Sequence, residues 1–538
     1  VPIVSNKQII HWPRVMATIA FGMGCSTGCV FAQSPSVAYD PVERSVADLR
    51  TDLDAGRVTS ESLVLAYLKR IEAMDRRGPR LGAVIAVNPR AVEMAKQLDR
   101  ELQNKRSRGP LHGIPILLKD NVESLDPMPT TAGSLALAQN VTNRDAPIVA
   151  YLRAAGAIIL GKTNLSEWAN FRSTHSISGW SAVGGLARNP YVLDRSACGS
   201  SAGSAVAVAA SFAAASVGTE TDGSITCPAA INGIVGLKPT AGLLSQERIV
   251  PIAHSQDTAG PMGRTVKDVA LLLGGMIDAA ALCKQSSTPC KKPDYVAGLS
   301  ATALRGKRIG VLNFESGRHP EVQAIYDKAL QHLRDAGATL IELDAKEDPR
   351  IGVAEETVLY VEFKADLNAY LATTPSTVKT RSLADLIRFN ESTSAETAYF
   401  GQDIFTKAQQ SPALTDKDYR SALALSKQLA GPEGLGKLLA NNRLDVLVAP
   451  TTAASWRIDT LNGDHYGGSF TTLPAVSGYP HLSVPMGQLR GLPLGISFIG
   501  APNTDASLLS MGYAYESLTH ARVPPTYLSS IDEAQTKN

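Results

Sequence analysis

The 538-residue chain carries 52 Lys+Arg against 50 Asp+Glu, a formal net charge of +2, with 44% hydrophobic and 19% charged residues. That composition excludes an intrinsically disordered chain, and so small a charge over this length excludes recognition driven by a polyanion such as nucleic acid. No stretch reaches the ~18 consecutive apolar residues of a spanning helix, which excludes a polytopic membrane protein, and at ~100–200 residues per domain the length suggests three or four domains.

Residues 1–40 read differently from the rest. Lys7 and Arg14 precede a charge-free run at 15–39 that contains Ile19, Phe21 and Val30 and passes the small residue Ala32. A basic start, an apolar middle and a small residue at the end form the layout of a secretory signal. Residues 1–32 are therefore expected to be a signal peptide cleaved after Ala32, with 33–44 a leader and the mature protein periplasmic or extracellular. Gly22, Gly24 and Gly28 dilute the apolar run, so an N-terminal arm retained in a cytoplasmic protein is the alternative. Cleavage would remove Cys25 and Cys29 and leave Cys198, Cys227, Cys283 and Cys290, which allow three pairings. Cys283 and Cys290 flank a polar Ser/Thr/Pro loop and are the favoured bridge in an oxidising compartment, while a Cys198–Cys227 pair stays open. No spacing is CxxC or places a His nearby, so no zinc is expected.

Helical periodicity covers 45–74, with Leu63, Tyr67, Ile71 and Met74 on one face and Ser45 and Asp48 spaced as a capping box. Gly113-Ile-Pro-Ile-Leu-Leu118 reads as a buried strand delivering Lys119, Asp120 and Asn121 at its C-terminal end. Residues 151–156 read as a helix stopped by Gly156 before a strand at 157–160. The same grammar recurs at 333–337 and 338–343, after a strand at 308–312, and further strands fall at 445–449 and 494–499. Strands alternating with helices predict an α/β sheet covered on both faces, in one catalytic domain at 45–525 followed by a tail at 526–538. The polar stretches 284–300 and 372–395 read as inserted loops. The charge-free, Ala-rich run 205–217 reads as a single central buried helix.

Gly/Ser-rich turns flank that run. Cys198-Gly-Ser-Ser-Ala-Gly-Ser204 precedes it, and Gly218-Thr-Glu-Thr-Asp-Gly-Ser224-Ile-Thr-Cys-Pro228 follows. Glycines permit positive φ, and the exposed amides of such turns attract negative charge. Ser224 would stand beside those amides, as a serine nucleophile with an oxyanion hole requires; ordinary helix-end turns are the bland alternative. Lys119, drawn inward by its apolar strand, would lose affinity for its proton and could serve as a base. The alternative is an ion pair with Asp120.

Together these residues resemble the amidase signature family. The matching motifs are 113–121, Gly199-Ser-Ser-Ala-Gly-Ser204, 218–224 with Pro228, Val235-Gly-Leu-Lys-Pro-Thr240, Asp257-Thr-Ala-Gly-Pro-Met262 and Gly478-Tyr-Pro-His-Leu-Ser-Val-Pro-Met486. The resemblance spans roughly 45–525 and implies a central mixed β-sheet. It implies Ser224 as nucleophile, Ser200 as a bridging serine with a cis peptide bond, and Lys119 as the base acting through Ser200. Backbone N–H groups of Thr221, Asp222, Gly223 and Ser224 would form the oxyanion hole. Neither a metal nor a cofactor is implied, nor nucleic acid or an obligatory protein partner; the substrate would be a small-molecule or peptide amide. Asp222 and Thr226 stand where the family commonly has Gly and a basic or Gln residue. These departures, Cys227-Pro228 and the segment 162–171 are similar to the peptide amidase branch, which releases the C-terminal carboxamide of peptides as ammonia. By the same resemblance Asn170 orients substrate, unless it merely bonds its own backbone. Glu362-Phe-Lys364 also resembles that branch, with a helix-surface charge pair as the alternative.

Rival readings have specific tests. Gly199-Ser-Ser201-Ala-Gly203 fits the GxSxG elbow of serine esterases, which needs a strand immediately before it; 189–196 is polar and turn-like instead, although His254, His332, His465 and His481 lie downstream. Ser376-Thr-Val-Lys379 fits SxxK but lies in a polar stretch. Within the family, a protein of the A type from an amidotransferase complex would work in the cytosol with partners, and an inactive binding protein on the same fold is the non-enzymatic alternative.

Overall fold

Apolar runs separated by Gly and polar turns build the centre of the computed structural model, which describes residues 39–278, 293–312 and 319–535. The expected signal segment 1–32 and the Cys283–Cys290 pair lie outside the described residues. Along the chain the first strands are β1 (Val84–Val87), β2 (Pro115–Lys119), β3 (Ile158–Thr163), β4 (Trp180–Ser181), β5 (Gly185–Leu186) and β6 (Ala215–Glu220). They continue with β7 (Val235–Lys238), β8 (Thr258–Gly263), β9 (Arg308–Leu312), β10 (Thr339–Leu343), β11 (Val446–Pro450), β12 (His481–Leu489) and β13 (Leu492–Ile499). Eleven of them form one mixed sheet in the order β1-β3-β2-β6-β8-β7-β12-β13-β11-β9-β10, and β4 and β5 pair separately. Every residue of β2, β3, β6, β7, β8, β11 and β13 is buried. Strands covered on both faces read as continuous apolar runs rather than alternating ones. The fold is thus a single large α/β domain, and the domain count suggested by length does not hold.

Three expectations are corrected. The helical run at 45–74 divides into helices Val46–Asp54 and Ser60–Arg70, the latter passing into a π-turn at Ile71–Arg76. Gly56 takes φ +66° between them, and Thr59 caps the second helix through the Ser62 N–H. The Ser45–Asp48 capping box does form. The stretch 372–395, expected to be an inserted loop, contains the helix Leu383–Ser392, whose Ser382 side chain accepts from Asp385 N–H.

The third correction matters for function. The Ala-rich run 205–217 is not one helix. It is the end of the helix Ala202–Ala209, a turn, and the start of β6. A continuous 13-residue helix would set its two ends ~20 Å apart. Helix followed by returning strand brings both Gly/Ser turns back to one edge of the sheet. Because β2 runs parallel to β6, with Leu118 opposite Val217, the C-terminal ends of these strands deliver Lys119 and 219–224 to that same edge.

Candidate active site

Lys119 ends β2 fully buried, and its Nζ donates to Ser200 Oγ at 2.7 Å, Thr219 Oγ1 at 2.7 Å and the Thr219 carbonyl at 3.2 Å. Asn121 Nδ2 donates to the same Thr219 hydroxyl at 2.9 Å. The sequence alternative of a Lys119–Asp120 ion pair is not what forms. Asp120 instead faces Lys162 at 3.4 Å and accepts the Thr131 hydroxyl. Burial lowers the Lys119 pKa to about 7, opposed by the more distant charges of Asp257 and Glu220. A lysine without an adjacent carboxylate is an amine that can exist neutral near neutral pH.

Ser200 lies in the turn that starts the helix Ala202–Ala209, and the Gly199–Ser200 peptide is cis. Ser224 lies beyond the end of β6, and its carbonyl accepts the Ser201 N–H at 3.1 Å, which joins the two turns. Gly223 takes φ +73°, the left-handed conformation that lets the chain double back before the helix Thr226–Ile231. Glu220 holds this bend from beneath. Its Oε2 accepts the N–H groups of Ile225 at 2.7 Å and Thr226 at 2.9 Å.

Ser224 opens into a cavity of about 510 Å³, together with Thr221, Asp222 and Gly223. Asn170 also lines it, at φ +69°, with its Nδ2 facing Ser178 Oγ at 3.5 Å rather than its own backbone. Phe171, Ile252, Leu359 and Ile404 supply an apolar wall. Trp456 and Tyr466, packed edge to face at 5.3 Å, line the cavity as well. Trp456 Nε1 donates to Asp464 at 2.9 Å, and Asp464 also accepts the Ser178 N–H at 3.0 Å, which ties two cavity-lining loops together. Cys198 and Cys227 form a disulfide at the cavity wall, so the pair left open from the sequence is bridged.

The structure also bears on the rival serine readings and on the Glu362–Lys364 pair. Ser201 is buried, its hydroxyl donates to the Thr219 carbonyl at 3.0 Å, and no strand immediately precedes it. His254 bonds Asp366 at 2.8 Å, and His481 is buried against Ser497 at 2.6 Å with its pKa lowered to about 3 by burial. Lys379 Nζ donates to the Ser376 carbonyl at 3.0 Å in an exposed turn. The Glu362–Lys364 surface pair does not exist. Glu362 is buried and accepts from Tyr419 OH and Ser255 N–H, while Lys364 reaches the Ser411 carbonyl.

Sequence reasoning finds Lys119, Ser200, Ser224 and Asn170, and the structure gathers them at one edge of the sheet. It misses Thr219 as a partner of Lys119, although Thr219 falls within the Gly218–Ser224 motif. It also misses the wall from Trp456 and Tyr466, whose loop carries no local motif.

A serine lining a cavity, joined through the Ser201 N–H to the turn that holds a buried serine–amine hydrogen bond, is an arrangement suited to acyl transfer. Residues 62–509 match the Amidase family. A probable amidase from Arabidopsis thaliana is 38% identical, covering 92% of this chain and 93% of the relative. The A-type subunit of glutamyl-tRNA(Gln) amidotransferase from Halorhodospira halophila is 35% identical, covering 90% and 99%. The native peptide amidase from Stenotrophomonas maltophilia superimposes with a TM-score of 0.86 at 49% identity, covering 90% of this chain and 99% of the other. A peptide amidase in complex with the competitive inhibitor chymostatin gives 0.87 at 49% identity, covering 91% and 100%. Fold and relatives define an amide hydrolase. The chain belongs to the amidase signature family.

The disulfide closes a loop between residues 29 apart, worth about 3–4 kcal/mol by the chain-entropy relation. Denaturant unfolding of the oxidised protein and of a Cys198→Ala/Cys227→Ala variant should differ by that amount, and equal stabilities would show that the link does not constrain the unfolded chain.

Proposed function

We propose that the protein hydrolyses the C-terminal carboxamide of peptides, or of related small amides, to the acid and ammonia through a Ser224–Ser200–Lys119 relay. The observation that carries this reading is the fully buried Lys119–Ser200 hydrogen bond of 2.7 Å beside a cavity floored by Ser224. Neutral Lys119 takes the Ser200 proton as Ser200 takes that of Ser224, and Ser224 Oγ attacks the amide carbonyl. Backbone N–H groups around 221–224 receive the developing oxyanion, where one such donor is typically worth about 3–4 kcal/mol. The relay returns the proton to the leaving nitrogen, ammonia departs, and water then cleaves the acyl-enzyme by the same path. Peptide substrates are favoured by the inhibitor-bound peptide amidase among the structural neighbours and by a cavity that pairs a polar floor with apolar walls.

Similarity to the A-type amidotransferase protein favours a second reading, in which free glutamine is the ammonia source. Ammonia release from peptide amides, free Gln, fatty amides and aryl amides separates the two. Peptide amides should dominate, and Ser224→Ala should abolish release while retaining the fold; an unchanged rate in that variant would sink the nucleophile assignment.

Lys119 acts as base only when neutral, so its pKa, lowered to about 7, sets the sign of the pH response. Values of kcat/KM should rise with pH through about 7 and level off above it. Lys119→Ala should lose about 10²–10⁴-fold. A flat profile between pH 5 and 9 would remove Lys119 from the mechanism.

Export to the periplasm or outside the cell completes the reading, supported by the layout of 1–32 and by the disulfide, which suits an oxidising compartment. Intact mass of the protein purified after expression with its N-terminus should lack 1–32; a full-length cytoplasmic product would rule export out.

A further inference from the structure

Charge in the active-site cavity is of one sign. The described residues that line it include Asp222 and Asp464 but no Lys, Arg or His. Asp464 accepts N–H groups rather than facing a cation, with Oδ1 receiving Trp456 Nε1 at 2.9 Å and Oδ2 the Ser178 N–H at 3.0 Å. The cations nearest to it in sequence are engaged elsewhere. His465 turns to Asp459 at 3.3 Å, and Arg457 faces Asp194 at 3.8 Å.

The surroundings of Asp464 suit an organic cation. Trp456 and the Ser178 backbone offer only donors, so both oxygens of Asp464 act as acceptors, as a carboxylate requires. A carboxylate has about four lone-pair sites, and two such bonds leave room for another donor. Asp464 is part-exposed where it lines the cavity. The Trp456 ring is bonded directly to it, and the half-exposed Tyr466 ring lies 5.3 Å from that indole, so carboxylate and aromatics form one contiguous patch. Aromatic faces attract cations through their quadrupole. The turn that carries Asp464 is itself fixed, because Asp459 accepts the N–H groups of Leu461 and Asn462 at 2.9 Å each. Negative charge also reaches this patch from the catalytic turn. Burial pushes the Tyr466 phenol up, the charges of Asp222 and Glu220 add to that, and the hydrogen bond with Ser469 opposes it.

We propose that Asp464, with the Trp456 and Tyr466 rings beside it, binds a cationic group of the substrate. The cavity then favours peptide amides that carry a basic group over neutral ones and disfavours acidic ones. This rests on the reading of the Ser224 cavity as a peptide amide site, and it narrows that substrate class by charge. A bound cation compensates a carboxylate held in a partly desolvated cavity, whereas an anion adds a like charge to it.

The test uses N-acetylated tripeptide amides that differ only in carrying Lys, Gln or Glu, at the first or the second position. The side chain is then the only charge on each peptide. At the more selective position kcat/KM should favour Lys over Glu at least about fivefold, with Gln between them. Asp464→Asn should cut that ratio at least about threefold. A smaller preference in the wild type, or a smaller change in the variant, would overturn the proposal, because distortion of the loop lowers all three peptides alike. The same peptides titrated calorimetrically into Ser224→Ala read binding without turnover. Charge-dependent binding there, with no peptide hydrolysed by the wild type, would support the subsite while removing the peptide amidase reading. Should Asp464→Asn not fold, as judged by circular dichroism, Asp464→Ser reads the same ratio.

Discussion

A lysine buried without an adjacent counterion is the constraint around which this molecule is arranged. Lys119 and Lys162 sit on neighbouring parallel strands, both fully buried, with Leu118 opposite Lys162. Lys162 faces Asp120 and also donates to the Val122 carbonyl and the Thr130 hydroxyl, a satisfied structural cation. Lys119 meets only hydroxyls and a carbonyl among the described residues. Both are fully desolvated; the presence of a carboxylate is what differs. That difference makes one lysine a strut and leaves the other able to release its proton near pH 7.

Keeping Asp120 away from Lys119 requires the rest of the local architecture. Alternation along the chain turns Asp120 away from its neighbour, and Thr131 Oγ1 and N–H fix it there. Glu220 could have served as a counterion, yet its Oε2 is committed to the N–H groups of Ile225 and Thr226. One carboxylate therefore shapes the bend that presents Ser224 while acting on Lys119 only at a distance.

The outer wall depends on a second buried charge. Arg172 is fully buried, 2.9 Å from Glu167 and 3.6 Å from Glu396, and its guanidinium stacks 4.2 Å from the Phe400 ring. It joins the loop bearing Asn170 and Phe171 to the segment around 396–400, more than two hundred residues away. Breaking one member of such a cluster leaves an uncompensated buried charge, so its contribution is to hold one loop geometry rather than to add net stability.

Local pattern is enough for much of this. Strands 115–119, 308–312, 339–343 and 446–450 are legible because an apolar run between Gly or polar turns can be little else in an α/β chain. Lys119, Ser200 and Ser224 are legible because each falls within a motif that resembles the family's, in the family's order. The run 205–217 misleads because alanine suits either a helix or a strand packed on both faces, and only the space available beside β2 and β8 selects the strand. Neither the Trp456–Tyr466 wall nor the Cys198–Cys227 link can be read locally, since each joins segments whose approach is set by the sheet order. The sequence by itself determined which groups can react. Tertiary structure alone decided that Asp120 pairs with Lys162 rather than with Lys119, because desolvation and pairing depend on neighbours distant in the chain.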